Sequence, residues 1–313
     1  MTTVINQIGA LYNDSTQSYS LNRFKRAIFT SGVDSSGTTT SKTNIVNING
    51  LVDVDITNVG IKRYYPAAAG YGKDRAIIGF GTGAISGVVT SSTNLISDVG
   101  VVSADVTGVG TARRELAAAG YGGDKAIFGY GYSTVNVSLT NLVSNVGVVA
   151  ADVTGVGTAR YGLAAAGYGG DKAIFGYGLT TVNVSLTNLV SNVGVVAADV
   201  AGVGTVRYYL AAAGYGGDKA IFGFGFANAR TNTTNLVSNT GVVAANGAFI
   251  GTVRQRISAA GYGGDKAIFG YGDVTGNIGI TTTNLVSNIG VVQTDTTGAG
   301  TGRYAASAAG FGS

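Results

Sequence analysis

Variants of one segment, RYGLAAAGYGGDKAIFGYG at Arg160 to Gly178, recur along the whole 313-residue chain, and few architectures accept a repeat of this kind. A small-residue run, LAAAGY, meets a Gly-Gly-Asp-Lys break and continues as apolar AIFGYG. This pattern predicts two short strands joined by a tight hairpin, the glycines supplying the positive φ that two-residue hairpin turns demand. The arginine heading each copy recurs at Arg63, Arg113, Arg160, Arg207, Arg254 and Arg303, 47 to 50 residues apart. A second strand pair follows each hairpin, TNLVSN (Thr187 to Asn192) and GVVAADV (Gly194 to Val200), reversing at Asn192-Val193-Gly194. Each unit therefore reads as four antiparallel strands. Such a unit cannot bury both faces of its sheet alone, and its length is that of a propeller blade rather than of a two-helix solenoid repeat. The expectation is an all-β chain, a six-bladed β-propeller of four-stranded blades.

The ends of the chain set the blade count. Arg303 to Ser313, RYAASAAGFGS, stops where the hairpin should turn, while Arg26-Ala27-Ile28-Phe29 near the other end matches Lys172-Ala173-Ile174-Phe175. The C-terminal strand is thus expected to complete the blade begun by the N-terminal strands, closing residues 23–313 into one domain and removing two exposed sheet edges. Residues 1–22 match no part of the repeat and are expected to form an N-terminal arm. They lack a basic region followed by an unbroken apolar run, so no secretory signal is expected, and no apolar run is long enough for a membrane helix.

Charged residues are 12% of the chain and glycine occurs 52 times, as suits strands converging on a narrow axis. A net charge of +4 without a basic stripe argues against nucleic acid. Without cysteine there are no disulfides, which leaves the compartment open.

The order of arginine, small-residue strand, glycine turn, apolar strand ending in glycines, then Asn-apolar-apolar resembles kelch-type β-propeller repeats over about residues 23–313. Two features depart from that family: its double glycine is here Gly176-Tyr177-Gly178, and its fourth-strand tryptophan is absent. The regular AAAGYGGDKAIFGYG and TNLVSNTGVV copies are similar in texture to kelch-like repeats in virion proteins of tailed bacteriophages, such as fibres and surface components. The first strand of a kelch-type blade is innermost, so the resemblance implies that Arg63, Arg113, Arg160, Arg207, Arg254 and Arg303 ring one mouth of a central channel. There they could hold carboxylates or phosphates. Asp55, Asp105, Asp152, Asp199 and Asp295, with Asn246 in the fifth copy, form a second ring eight residues before each arginine. Structural Arg-Asp pairs tying blades together are the favoured reading of the two rings.

Thr134 to Val153 and Thr181 to Val200 are identical, which weighs against a catalytic site built from different residues on different blades. The fifth copy departs from the others at Ala244 to Arg254, and Arg230, Phe249 and Arg256 are the candidates for variable-loop binding. No histidine or cysteine is present, and Glu115 is the one glutamate, so acid-base and nucleophilic chemistry have little to work with. No catalytic residue, metal site or cofactor is expected. The predicted role is a non-enzymatic structural or receptor-binding virion component (tail fibre, spike or head decoration protein). Its partners would be other virion proteins, reached through the arm, and a host surface receptor, with no membrane insertion. The alternatives are a cytoplasmic protein-interaction propeller and, more remotely, a lectin or sialidase-like hydrolase.

Overall fold

A computed structural model describes residues 25–84, 88–248 and 250–312, so the expected arm at 1–22 and Phe249 lie outside the described residues. The described chain is all-β, with no helix among these residues. Six similar antiparallel sheets repeat along it. In the fourth copy Ala164–Tyr168 pairs with Lys172–Gly176, which pairs with Thr187–Val190. The first copy is assembled from both ends, its sheet running in the order Ser307–Phe311, Arg26–Thr30, Lys42–Val46, Ile56–Thr57. First strands of successive copies lie side by side, and Ser307–Phe311 adjoins those of both the second and the sixth copies.

Alternation along the second strand explains the packing. Ile174 points toward the fifth copy, sharing a core with Phe222, while Phe175 points back toward the third, against Ile127. Both side chains are fully buried, each contributing about 1.5–3 kcal/mol. No copy owns a core, because every core lies between two neighbours.

The Gly-Tyr-Gly end of the second strand has a packing reason. A Cβ on Gly176 would stand 2.6 Å from the Phe222 ring, so the strand must end in a bare backbone there. Tyr177 then adopts φ 65° and buries its ring, its hydroxyl donating to the Val203 carbonyl at 3.0 Å. Gly178, at φ 114°, donates its N–H to the Arg207 carbonyl of the next copy at 3.0 Å.

Two local expectations are corrected. The hairpin is closed by three residues, Gly169, Gly170 and Asp171, between paired Tyr168 and Lys172, rather than by two. The three-residue loop leaves the Gly169 N–H free to bond the Asp218 carbonyl of the next copy at 2.7 Å. The fourth strand is a regular strand only in the first copy; elsewhere it is reduced to isolated bridges such as Val190↔Val196 and Thr187↔Val200. Between these bridges two residues on the inner side face three on the outer, so the segment carries a β-bulge that splits the ladder. That bulge turns Asp199 inward, where its carboxylate accepts from the Asn188 amide at 2.9 Å.

Candidate functional site

The six repeated arginines are buried, 0–1% exposed, and none lines the cavity between the first strands. The expected mouth ring is therefore an internal ring. Burial follows from the bonds each guanidinium makes. Arg160 donates from Nε to the Tyr177 carbonyl at 2.8 Å, and through its terminal nitrogens to the Thr158 carbonyl at 3.0 Å and Asn188 Oδ1 at 2.7 Å. Its guanidinium also lies 4.4 Å over the Tyr130 ring of the preceding copy. The same stacking recurs for Arg113 on Phe80, Arg207 on Tyr177, Arg254 on Phe224 and Arg303 on Tyr271. Burial lowers the pKa of Arg113 and Arg254 to about 10, still far enough above neutrality to keep both charged.

The aspartates do approach these arginines, but the partner is not the residue eight positions upstream: it belongs to the arginine's own copy, and for Arg303 it is Asp55 near the other end of the chain. Arg160 stands 3.8 Å from Asp199, and Asp152 belongs to Arg113, also at 3.8 Å; Arg63 and Asp105 are closest, at 3.3 Å. Asn246 stands at the equivalent position for Arg207, its Oδ1 accepting from Thr205 N–H and from the Asn235 amide. Burial alone would raise the carboxyl of Asp199, but hydrogen bonds from Thr158 and Asn188 hold it below its ordinary value. The buried asparagines of the third strand, Asn94, Asn141, Asn188, Asn235 and Asn284, accept from the arginines directly. Their invariance in the Thr-Asn-apolar-apolar motif was the available signal for this role. Arg113, Arg160 and Arg207 thus make their guanidinium bonds internally, whereas Arg254 Nε and Nη1, Arg303 Nε and Asn44 Oδ1 are buried without a hydrogen-bond partner.

The place where copies differ systematically lies two residues beyond each ring arginine. Tyr65, Glu115, Gly162, Tyr209, Arg256 and Ala305 all adopt a left-handed backbone, φ 50–62°, although only one is glycine. Each donates its N–H to the carbonyl of the equivalent residue in the preceding copy: Glu115 to Tyr65, Gly162 to Glu115, Tyr209 to Gly162, Arg256 to Tyr209, Ala305 to Arg256 and Tyr65 to Ala305. The six bonds, 2.7–3.2 Å long, offset a backbone that costs a non-glycine residue about 1–3 kcal/mol. All six residues border a cavity of about 210 Å³ whose wall is mostly the alanines and glycines of the first strands, with Lys73, Asp124, Lys125 and Lys219 of the hairpin tips also lining it.

Side chains on this iris pair across it, two or three copies apart. Tyr65 and Tyr209 stack with centroids 5.5 Å apart and planes 16° from parallel. Arg256 donates to the Tyr65 hydroxyl at 3.4 Å, and Tyr209 interacts through its hydroxyl with both Tyr65 and Glu115. Burial pushes Glu115 and both tyrosines above their ordinary values. Glu115 is 8% exposed, and its one ion pair, to Arg114, is loose at 3.7 Å.

Arg230 and Arg256, separate candidates in sequence, meet on Asp273, which is fully buried. Arg256 donates to one carboxylate oxygen at 2.7 Å and Arg230 to the other at 2.7 Å. Burial alone would lower the pKa of Arg256, but bonding to Asp273 raises it and holds the group charged. Asp273 carries no signal in the repeat, since it replaces Leu179 or Phe226 of other copies only once. Among the described residues no cluster of three or more carboxylates is placed to hold a metal ion. Comparison of the chain with protein-family models and with curated proteins yields no match.

Proposed function

We propose that the chain is a closed six-bladed β-propeller serving as a non-enzymatic binding platform within a larger particle, the virion of a tailed bacteriophage. Closure is supported by the run of hydrogen bonds through Tyr65, Glu115, Gly162, Tyr209, Arg256 and Ala305, which returns to its start after six steps. The pairing of Ser307–Phe311 with Arg26–Thr30 supports it further. A non-catalytic role is supported by the internal use of the arginine, asparagine and aspartate rings.

The observation that carries the platform reading is what each copy leaves outside. Leu51, Val101, Val148, Val195, Val242 and Val291 occupy equivalent bends and are all more than half exposed. The bends lie on the hairpin-tip side, since Asn145 donates to the Asp124 carboxylate at 3.3 Å. A six-fold ring of exposed aliphatic side chains is an expensive surface for an isolated protein, and suits docking onto a partner. The phage assignment rests on the texture of the repeats alone.

The test is proteomic and biochemical. The chain is expected in purified virions at fixed stoichiometry, and the Val148→Asp, Val195→Asp double variant is expected to fold normally and to be lost from them. Absence of the wild-type chain from particles overturns the virion reading. Normal incorporation of the double variant overturns the aliphatic ring as the docking surface.

A further inference from the structure

Resting on the platform reading, we propose that the aromatic arc on the iris side is a glycan-binding surface, taking a linear oligosaccharide. The arc is built at two positions per copy. One is the residue after each ring arginine, namely Tyr64, Arg114, Tyr161, Tyr208, Gln255 and Tyr304. The other is the residue bridged to it by backbone hydrogen bonds, Tyr132 opposite Arg114, Leu179 opposite Tyr161, Phe226 opposite Tyr208 and Asp273 opposite Gln255. The bridge is the same whichever side chain is present, so the fold does not require aromatic residues here.

Aromatic residues nevertheless collect there. Tyr132 and Tyr161 have centroids 5.8 Å apart, Tyr161 and Tyr208 6.5 Å, and Tyr208 and Phe226 5.7 Å, and all four are half-buried. The large hydrophobics that are strongly exposed among the described residues are all aliphatic, so partly open rings mark this side. Gly162 keeps the arc open at its centre: a Cβ there would stand 3.2 Å from both Tyr208 and Tyr209. Beside that gap, Glu115 is nine-tenths buried, borders the central cavity, and is held by the Tyr209 hydroxyl and a loose 3.7 Å pair with Arg114. Its two carboxylate oxygens offer more acceptor sites than that one hydroxyl fills. Arg114 itself lies 5.4 Å over the Tyr132 ring, and its buried Nε has no hydrogen-bond partner.

This combination matches the chemistry of a sugar. The C–H face of a pyranose stacks on an aromatic ring, and its hydroxyls need both donors and acceptors close to that ring, here the tyrosine hydroxyls, Arg114 and Glu115. An aliphatic protein partner would leave the Arg114 Nε unpaired in a drier interface, at a cost. Protein recognition is better served by the aliphatic ring on the hairpin-tip side.

The experiment uses the full chain on a printed array of linear hexose and N-acetylhexosamine oligosaccharides of defined linkage. Hits are then titrated in solution by tyrosine fluorescence, which is free of tryptophan background. Tyr161→Ala and Tyr132→Ala are expected to weaken a hit at least tenfold with melting temperatures kept near wild type, and Val148→Ser on the hairpin-tip side to leave it unchanged. If Tyr161→Ala does not fold, Glu115→Gln provides the same readout through the lost acceptor. No binding by the wild type anywhere on the array overturns the proposal, as does affinity unaffected by these substitutions, or capture of peptides instead of sugars on this side. A chain that docks on particles through Val148 and Val195 but binds no sugar keeps the platform and loses the glycan.

Discussion

Replacing Arg160 with alanine tests whether the internal ring holds the copies together, and its partner can be told from the residue that merely stands closer in sequence. The substitution removes three hydrogen bonds from a charged donor, to Tyr177, Thr158 and Asn188, each worth about 1.5–3 kcal/mol. It also removes stacking on Tyr130, worth up to about 2 kcal/mol when desolvated. Against these stands relief from burying a charge, several kcal/mol. The expected net loss is about 3–5 kcal/mol, the range seen when one member of a buried charged network is removed. Asp199→Ala should cost less, about 1–2 kcal/mol, because a quarter of its side chain is exposed and water can replace some of what it accepts. Asn188 bonds both residues, so the double variant should fall short of the sum by about 1 kcal/mol. Arg160→Ala with Asp152→Ala should instead be additive within about 0.5 kcal/mol, since Asp152 serves Thr111, Asn141 and Arg113. Urea melts followed by circular dichroism on the two cycles decide the matter. Additivity with Asp199, or strong coupling with Asp152, would refute the reasoning.

Deleting residues 307–313 removes the strand paired with Arg26–Thr30 and leaves that strand's edge and the neighbouring cores open; a sharp fall in melting temperature and solubility is expected, and unchanged values would sink the closure. Asp152, Asp199 and Asp295 are held below their ordinary value in the folded state, despite burial that opposes this. Their stabilisation is therefore complete above the unfolded pKa of about 3.9 and lost as pH falls through the lower folded values; urea midpoints should decline below about pH 4, less steeply in Asp199→Asn. Burial raises Tyr130 and Tyr271 to about 12, so their contribution is full below about pH 10 and lost above it. Phenolate absorbance should show both groups still neutral in folded protein at pH 11, and early ionisation with the fold intact would contradict their burial.

The all-β class, the hairpin and the joining of the two chain ends were legible in the repeat, because each depends on local pattern. Alternating Ile174 and Phe175 announce a strand buried on both sides, and Arg303 to Ser313 is visibly half of a unit. The identity of the arginine partners was not legible. A β-bulge between Val196 and Val200 aims Asp199 at Asn188 and Arg160, and a bulge is a register slip that neighbouring strands impose rather than a residue pattern. Proximity in sequence pointed to Asp152, whereas the sheet brings together residues 39 positions apart. The iris was hidden for a related reason. Tyr65, Glu115, Gly162, Tyr209, Arg256 and Ala305 share no side-chain chemistry, so a search for repeated residues passes over them, and only their common backbone and the hydrogen bonds between copies identify one position. Repetition in the sequence determined the unit; tertiary structure alone decided which residues face one another across the axis, because that depends on the angle between copies and on nothing inside any one of them.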